Sequence, residues 1–123
     1  MKQKRRERIS SSLRAEIAEI IQRDLRDPRL GFISVTRVEP TEDLKEAVVH
    51  VSILGSEGQQ RTSLRGLRAA AGFIQGLLAD RIRLRNTPVL RFELDESIRK
   101  HMELEDLLKR ARGESAPRDE EEE

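Results

Sequence analysis

A row of arginines near the middle of the chain has the spacing expected for binding to phosphate groups. Arg61, Arg65, Arg68 and Gly72 follow one another at i, i+4, i+7 and i+11, so a continuous helix would carry them on one face. Guanidinium groups form bidentate contacts with phosphate, and a glycine at the end of the row would let a second backbone come close. This segment alone leaves two interpretations open: a contact surface for a nucleic-acid backbone, or a solvated helix face whose glycine serves helix packing.

The charges of the chain are segregated, although the formal net charge of its 123 residues is only +1. Residues 1–14 carry six basic side chains and one acid, residues 61–91 carry seven arginines and one aspartate, and the acids are concentrated in residues 114–123. Basic clusters on a nearly neutral chain point to an anionic partner. The side chains expected to contact phosphate are Lys4, Arg5, Arg6, Arg8, Arg61, Arg65, Arg68, Arg81, Arg83 and Arg85.

The residue pattern argues against catalysis and metal binding. The chain has no cysteine, which excludes disulfides and thiolate chemistry. His50 and His101 fall on different predicted elements without metal-ligand spacing, so we interpret both as surface residues. The carboxylates are interleaved with arginines at helical spacing, which is typical of solvated ion pairs rather than of an acid–base pair. We therefore expect no catalytic residue, no metal and no cofactor.

The aromatic residues narrow the mode of nucleic-acid binding. The chain contains three phenylalanines and neither tryptophan nor tyrosine, and all three phenylalanines fit core positions. Base stacking of the kind used by RRM and OB-type proteins is therefore not expected, which leaves phosphate contact and recognition of RNA shape. The segment 55–58 matches Gly-x-x-Gly, but it follows a strand and contains Glu57, so we interpret it as a strand-to-helix loop.

Hydrophobic periodicity predicts the elements that must position these cations. Helices are predicted over roughly 5–26, 60–71, 73–82 and 97–111. Strands are predicted over 32–38, 47–53 and 89–94. The predicted fold class is α+β, with a folded domain over residues 1–112. Residues 113–123 are acidic and almost free of apolar side chains, so we expect a disordered tail.

The apolar runs of the chain are too short to span a membrane. The basic start, residues 1–8, is not followed by the apolar core of a signal peptide. We therefore expect a cytoplasmic protein without a membrane partner.

A set of short motifs follows the basic entry into the first helix. They are Asp27-Pro28-Arg29-Leu30-Gly31, Ser34-Val35-Thr36-x-Val38, Asp43-Leu44 before Ala47, Ala70-Ala71-Gly72 before Phe73-Ile74, Arg83-Leu84-Arg85 before Pro88, and Asp95-x-Ser97. In this order and spacing, the motifs resemble the bacterial ribosome-binding factor A family over roughly residues 5–108.

The resemblance implies a type II KH-like domain of order α-β-β-α-α-β. Its three-stranded sheet would have helices on one face, and an extra helix would follow at the C-terminus. A helix kink at Ala70, Ala71 and Gly72 would replace the usual Gly-x-x-Gly loop. From this kink we expect that a valine at Gly72 would have no room. We also expect that replacing Arg61, Arg65 and Arg68 together would spare the fold.

The resemblance also implies a function. The protein would bind the free 30S ribosomal subunit and its 16S rRNA as a monomer, and would assist late assembly and 16S rRNA 5′-end processing. The family is further associated with growth in the cold and with release by a ribosome-assembly GTPase. Two alternatives stay open: a ribosome-associated stress or silencing factor, and a basic protein–protein adaptor.

Overall fold

The computed structural model describes residues 3–25 and 27–113, so the predicted acidic tail from residue 114 lies outside the described residues. The described chain forms four helices and three strands in the predicted order. The helices are α1 (Gln3–Arg23), α2 (Glu57–Ala69), α3 (Ala71–Arg81) and α4 (Ser97–Ala111). The strands are β1 (Ile33–Pro40), β2 (Glu46–Ile53) and β3 (Val89–Leu94).

The three strands form one mixed sheet in the order β1-β2-β3. β1 runs antiparallel to β2, and β2 runs parallel to β3. The parallel pair requires a crossover, and α2 and α3 together provide it. A bulge between Val35 and Arg37 shifts the register of β1. The extra residue, Thr36, lets both Val35 and Val38 face the core although they are three positions apart.

The core lies between one face of the sheet and the helices α1, α2 and α3. The stripe of 3.6-residue period in α1 is buried there as predicted, together with the inward residues of the strands. The fully or almost fully buried side chains include Leu13, Ile17, Ile20, Val49, Val51, Leu67, Ile74, Leu78 and Phe92. The helices therefore present their outer, charged faces at positions that this core fixes rigidly.

α2 begins three residues earlier than its apolar period predicts, because a capping box precedes that period. The Ser56 Oγ accepts a hydrogen bond from the backbone N–H of Gln59 at 3.2 Å, and the Gln59 Oε1 accepts one from the N–H of Ser56 at 2.7 Å. Glu57 and Gly58 therefore form the first turn of α2. The interpretation of residues 55–58 as a loop is correct only for their first half.

α4 is joined to the sheet through Asp95. The Asp95 carboxylate accepts hydrogen bonds from the Ser97 and Thr36 hydroxyls, each at 2.6 Å, and from the Ser97 N–H at 3.0 Å. The hydrogen bonds from Ser97 and Thr36 hold the pKa of Asp95 well below its usual range. Beyond this joint, four large apolar side chains of α4 are exposed: Met102, Leu104, Leu107 and Leu108.

Candidate nucleic-acid interface

A cationic cleft lies where the start of α1 meets the segment after α3. Arg5, Arg8 and Ile9 of α1 line it together with Ile82 and Leu84. Two further cations, Arg83 and Arg85, alternate with these apolar residues along the same exposed segment. Ile82 and Leu84 place this segment against the start of α1, although about 75 positions separate the two in the chain.

The two arginines of the cleft, Arg5 and Arg8, and the two on the adjoining segment, Arg83 and Arg85, are available to a ligand. Within residues 3–25 and 27–113, none of their guanidinium groups has a hydrogen-bond or ion-pair partner. The same holds for the ammonium of Lys4. Arg6 differs, because it lies on the β1 side of α1 with its Nη1 4.0 Å from a carboxylate oxygen of Glu42.

The arginine row of α2 divides into two open residues and one anchored residue. Arg61 and Arg65 are exposed and have no side-chain partner in the part of the chain that the structure describes. Arg68 instead donates two hydrogen bonds to the carbonyl oxygen of Phe92, from Nε at 3.2 Å and from Nη2 at 3.0 Å. Its Nη2 is also 3.5 Å from a carboxylate oxygen of Glu93.

These hydrogen bonds give Arg68 a structural role at the outer edge of β3. β3 pairs only with β2, so its other edge has unpaired backbone groups. Arg68 satisfies one of them, and the Gln75 Oε1 accepts a hydrogen bond from another, the Leu90 N–H, at 3.0 Å. The expectation that all three arginines of the row could be replaced without cost to the fold is therefore wrong for Arg68.

Arg81 is anchored in the same way. Its Nη1 lies 2.8 Å from a carboxylate oxygen of Glu19 and 3.8 Å from one of Glu16, and its Nη2 lies 2.8 Å from Asp24. Glu16 and Glu19 lie in the second half of α1 and Asp24 directly follows it, so Arg81 fastens α3 to this part of the chain. We call Arg68 and Arg81 the anchored arginines, and Arg5, Arg8, Arg61, Arg65, Arg83 and Arg85 the open arginines.

The open arginines lie at opposite ends of the sheet. α2 starts just after β2 ends, whereas the start of α1 is bound to the end of β1 by the hydrogen bond that the Ser10 hydroxyl donates to the Val38 carbonyl. Because β1 and β2 are antiparallel, their ends lie at opposite ends of the sheet. The structure thus places the start of α1 beside the segment that carries Arg83 and Arg85, at the end of the sheet away from Arg61.

The helix break between α2 and α3 separates Gly72 from the arginine row. Ala70, with φ −90° and ψ 0°, is the junction, and its N–H bonds back to Gly66 and Leu67. Gly72 therefore belongs to the first turn of α3 rather than to the helix face of Arg61. Nothing lies within 4 Å of the position that a Cβ on Gly72 would take, so the expectation that a side chain there has no room is wrong. Whether RNA approaches this open position stays a prediction.

Gly66, in contrast to Gly72, is buried and has a close neighbour. A Cβ at this buried position of α2 would lie 2.9 Å from the Cδ2 of Leu30. That distance is shorter than a normal van der Waals contact, so Leu30 would have to move. Sequence reasoning missed this glycine because its neighbour belongs to a distant loop.

Two phenylalanines are exposed, which corrects the expectation that all three lie in the core. Phe92 is buried, but Phe32 is 70% exposed and Phe73 is 54% exposed. Leu54 is also 76% exposed, and its N–H donates a hydrogen bond to the Phe32 carbonyl at 3.1 Å. The alternation of the strands carries the missing signal: Phe32 is out of phase with the buried Ile33, and Leu54 is out of phase with the buried Ile53.

Each histidine lies beside a carboxylate. His50 is less exposed than expected, with 14% of its side chain accessible, and its Nε2 lies 2.6 Å from the Glu39 Oε1. His101 is exposed beside Glu105. Within the described residues, no group of three or more His, Asp or Glu side chains could hold a metal ion, and no helix is both long and apolar enough to cross a membrane.

Comparison with known proteins decides the family. The sequence model of ribosome-binding factor A matches residues 5–108. The ribosome-binding factor A of Thermomicrobium roseum is 54% identical over 94 residues, which cover 76% of this chain and 73% of the relative. That of Acetivibrio thermocellus is 52% identical over 93 residues, which cover 75% of this chain and 76% of the relative. The chain belongs to the ribosome-binding factor A family.

Solved structures of ribosome-binding factor A share the fold. The crystal structure of the Thermus thermophilus protein is 31% identical, with a TM-score of 0.66 over 72% of this chain and 94% of that one. The NMR structure of a Thermotoga maritima protein described as a putative member is 34% identical, with a TM-score of 0.59 over 68% and 84% of the two chains. The predicted type II KH-like architecture with an extra C-terminal helix is thereby confirmed.

A third ribosome-binding factor A structure has been placed on its target. This model of the Thermus thermophilus protein was fitted into a cryo-EM map of its complex with the 30S subunit. It is 33% identical to this chain, with a TM-score of 0.59 over 71% of this chain and 91% of that one.

Proposed function

We propose that this protein binds the free 30S ribosomal subunit through 16S rRNA and assists late assembly of that subunit, including 5′-end processing of the RNA. Its relatives are named for ribosome binding, and one of them has been placed on the 30S subunit. We propose further that it acts by binding, without catalytic chemistry, as a cytoplasmic monomer, and that a ribosome-assembly GTPase assists its release.

The cleft formed by the start of α1 and residues 82–85 is the observation that carries this proposal. Arg5 and Arg8 line it, and Arg83 and Arg85 lie on the segment whose Ile82 and Leu84 complete its lining; none of the four has an intramolecular partner within the described residues. Because no carboxylate of the described chain neutralises them, they provide a site for a phosphate backbone and release its counterions on binding. Lys4 extends the same surface at the beginning of α1.

The position of Arg61 and Arg65 at the far end of the sheet gives the mechanism a second contact. A rigid domain that contacts RNA at two separated places favours the one RNA conformation in which both places are correctly spaced. Binding would thus hold an immature arrangement of 16S rRNA and block premature joining of the large subunit. The domain would dissociate once the RNA has rearranged.

The first experiment measures which ribosomal particle the protein binds. We expect the tagged protein to sediment with free 30S subunits enriched in precursor 16S rRNA, and scarcely with 70S particles. Equal association with 70S ribosomes would favour a silencing factor instead. A partner that survives nuclease treatment of a pull-down would indicate a protein adaptor.

The second experiment tests the cleft itself. We expect replacement of Arg5, Arg8, Arg83 and Arg85 by alanine to weaken binding to 30S subunits and to lower its dependence on salt. Each lost phosphate contact removes roughly 0.7–0.9 from the slope of log K against log salt, so four contacts remove about 3. The measurement is affinity over a salt series.

A matched variant controls for the change in net charge. It replaces Arg37, Arg91, Arg99 and Arg110, four exposed arginines that each have a carboxylate partner elsewhere on the surface. We expect its salt slope to stay close to that of the unmodified protein. Equal slopes for the two quadruple variants would show that the loss is one of net charge and that the cleft is not the contact surface.

A further inference from the structure

A small apolar platform lies at the end of the sheet opposite the cationic cleft. Ile33 pairs with Ile53 in the ladder of β1 and β2, and the same register places Phe32 directly opposite Leu54. Side chains at directly opposite positions of an antiparallel pair lie on the same face, about 5 Å apart. Phe32 and Leu54 therefore form one exposed apolar surface, and Phe32 contributes the face of an aromatic ring.

Arg61 lies on α2, the helix whose first turn shares a cleft with Leu54. Leu54 lines a cleft of about 560 Å³ together with Gly31, Gly58 and Thr62. The Nη2 of Arg61 is 3.8 Å from the position that a Cβ on Gly58 would take, so this guanidinium folds back over the uncovered turn of α2. Arg61 has no side-chain partner within the described residues, and Arg65 lies one helical turn further along.

The acids around the cleft do not neutralise Arg61. The carboxylate of Asp27 is held by the Arg29 side chain through a pair of hydrogen bonds at 2.6 and 3.0 Å, and these contacts lower the pKa of Asp27. Glu57 is exposed in the first turn of α2, where its carboxylate interacts favourably with the positive end of the helix dipole. Arg61 therefore remains the cation available to a phosphate.

The small apolar area, the aromatic ring and the unpaired cation together indicate which kind of ligand would bind here. Two exposed side chains offer too little apolar area for a stable protein interface, which buries about 1,200 Å² or more. One aromatic ring is, however, the size of a platform for one base, and base stacking on such a ring is a common mode of single-strand binding. An unpaired guanidinium on the helix that adjoins Leu54 matches the phosphate of the same nucleotide.

We propose that Phe32, Leu54 and Arg61 bind one unstacked nucleotide of single-stranded RNA, with the base on the apolar pair and the phosphate on Arg61. The proposal rests on the proposed binding to the 30S subunit and adds a contact of different chemistry to it. The cationic cleft contacts the backbone alone, whereas this site contacts a base. It would therefore be occupied only where a base of the rRNA is unpaired.

Affinity measurements with 30S subunits separate the two contacts. We expect Phe32→Ala to weaken binding about 5- to 150-fold, the range found for removal of one stacking ring, and to leave the salt slope unchanged because no phosphate contact is lost. Leu107→Ala, which shortens an equally exposed side chain on α4, is the matched control and should bind normally. Thermal melts confirm that both variants fold, as the exposure of both positions predicts.

Crosslinking identifies what Phe32 touches. The photoreactive amino acid p-benzoylphenylalanine at position 32 should crosslink to 16S rRNA in a product that nuclease degrades. A crosslink to a ribosomal protein would overturn the nucleotide site, and so would unchanged affinity of the Phe32→Ala variant. Absence of binding by the unmodified protein would overturn the proposed function itself, so the two failures can be told apart.

Discussion

Arg81 and Arg83 are two positions apart in the chain but have opposite surroundings. The guanidinium of Arg81 lies against Glu16 and Glu19 of α1 and against Asp24, which directly follows that helix. That of Arg83 is exposed and has no partner in the described parts of the chain. Both belong to the basic cluster that the sequence associates with an anionic partner. Their surroundings divide this cluster into residues that hold the fold together and residues that can contact RNA.

α2 shows the same division. Arg65 and Arg68 lie one helical turn apart, yet only Arg68 reaches the carbonyl oxygen of Phe92. A basic residue near the surface is therefore not by itself evidence of a nucleic-acid contact, because a guanidinium satisfies backbone carbonyls and carboxylates equally well. The useful evidence is whether the guanidinium already has a partner within the protein.

Among the arginines, the anchored Arg81 should have the largest effect on stability when it is replaced. We expect Arg81→Ala to lower the free energy of unfolding by about 1–2 kcal/mol, since it removes two charge-assisted hydrogen bonds and leaves three carboxylates close together. For a domain of this size, that corresponds to a fall in Tm of about 5–10 °C. Thermal and denaturant unfolding measure the change.

Arg83→Ala is the matched variant for Arg81→Ala. It should leave the Tm unchanged and lower the salt slope of 30S binding by about 0.8, whereas Arg81→Ala should leave that slope unchanged. A stable Arg81→Ala protein with a reduced slope would reverse the assignment of these two residues.

Replacing Arg68 should have a smaller effect. We expect Arg68→Ala to cost about 1 kcal/mol, because the Phe92 carbonyl loses a charged donor but lies at a sheet edge that water can reach. Arg65→Ala, one turn earlier, should be neutral in stability. Hydrogen exchange of the β3 amides provides a local measurement, in which faster exchange is expected only for the Arg68 variant. Equal exchange in the two variants would mean that Arg68 does not protect this edge.

The regular elements of the fold could be predicted because their signals are local. The apolar stripe of α1 and the alternation of β2 and β3 follow directly from the side chains that must be buried. Errors in the predicted helix bounds occur where polar hydrogen bonds extend a helix beyond its apolar period. At Ser56, for example, a capping box starts α2 three residues early. The bulge at Thr36 is a second irregularity that the alternation of side chains does not predict. Its one extra residue allows both Val35 and Val38 to face the core.

The candidate site could be predicted only in part, because the partners that decide it are distant in sequence. Glu19 lies 62 positions from Arg81, and Phe92 lies 24 positions from Arg68, and neither distance follows from local periodicity. The exposure of Phe32 could have been predicted from the sequence. Side chains alternate along a strand, so the residue that precedes the core-facing Ile33 must face away from the core. We expected a buried residue there because phenylalanine is usually buried.

The smallest effect is expected at Gly72, which extends the comparison from arginines to glycines. We expect Gly72→Val to change stability by no more than about 0.5 kcal/mol, because the position is open and helical. The same substitution at the enclosed Gly66 should cost about 1–3 kcal/mol, since the new side chain would overlap Leu30. Unfolding of both variants, measured side by side, tests this contrast. If Gly72→Val folds normally but loses 30S binding, the open space serves the approach of RNA. If it folds and binds normally, the glycine is incidental, and the contacts lie at the open arginines.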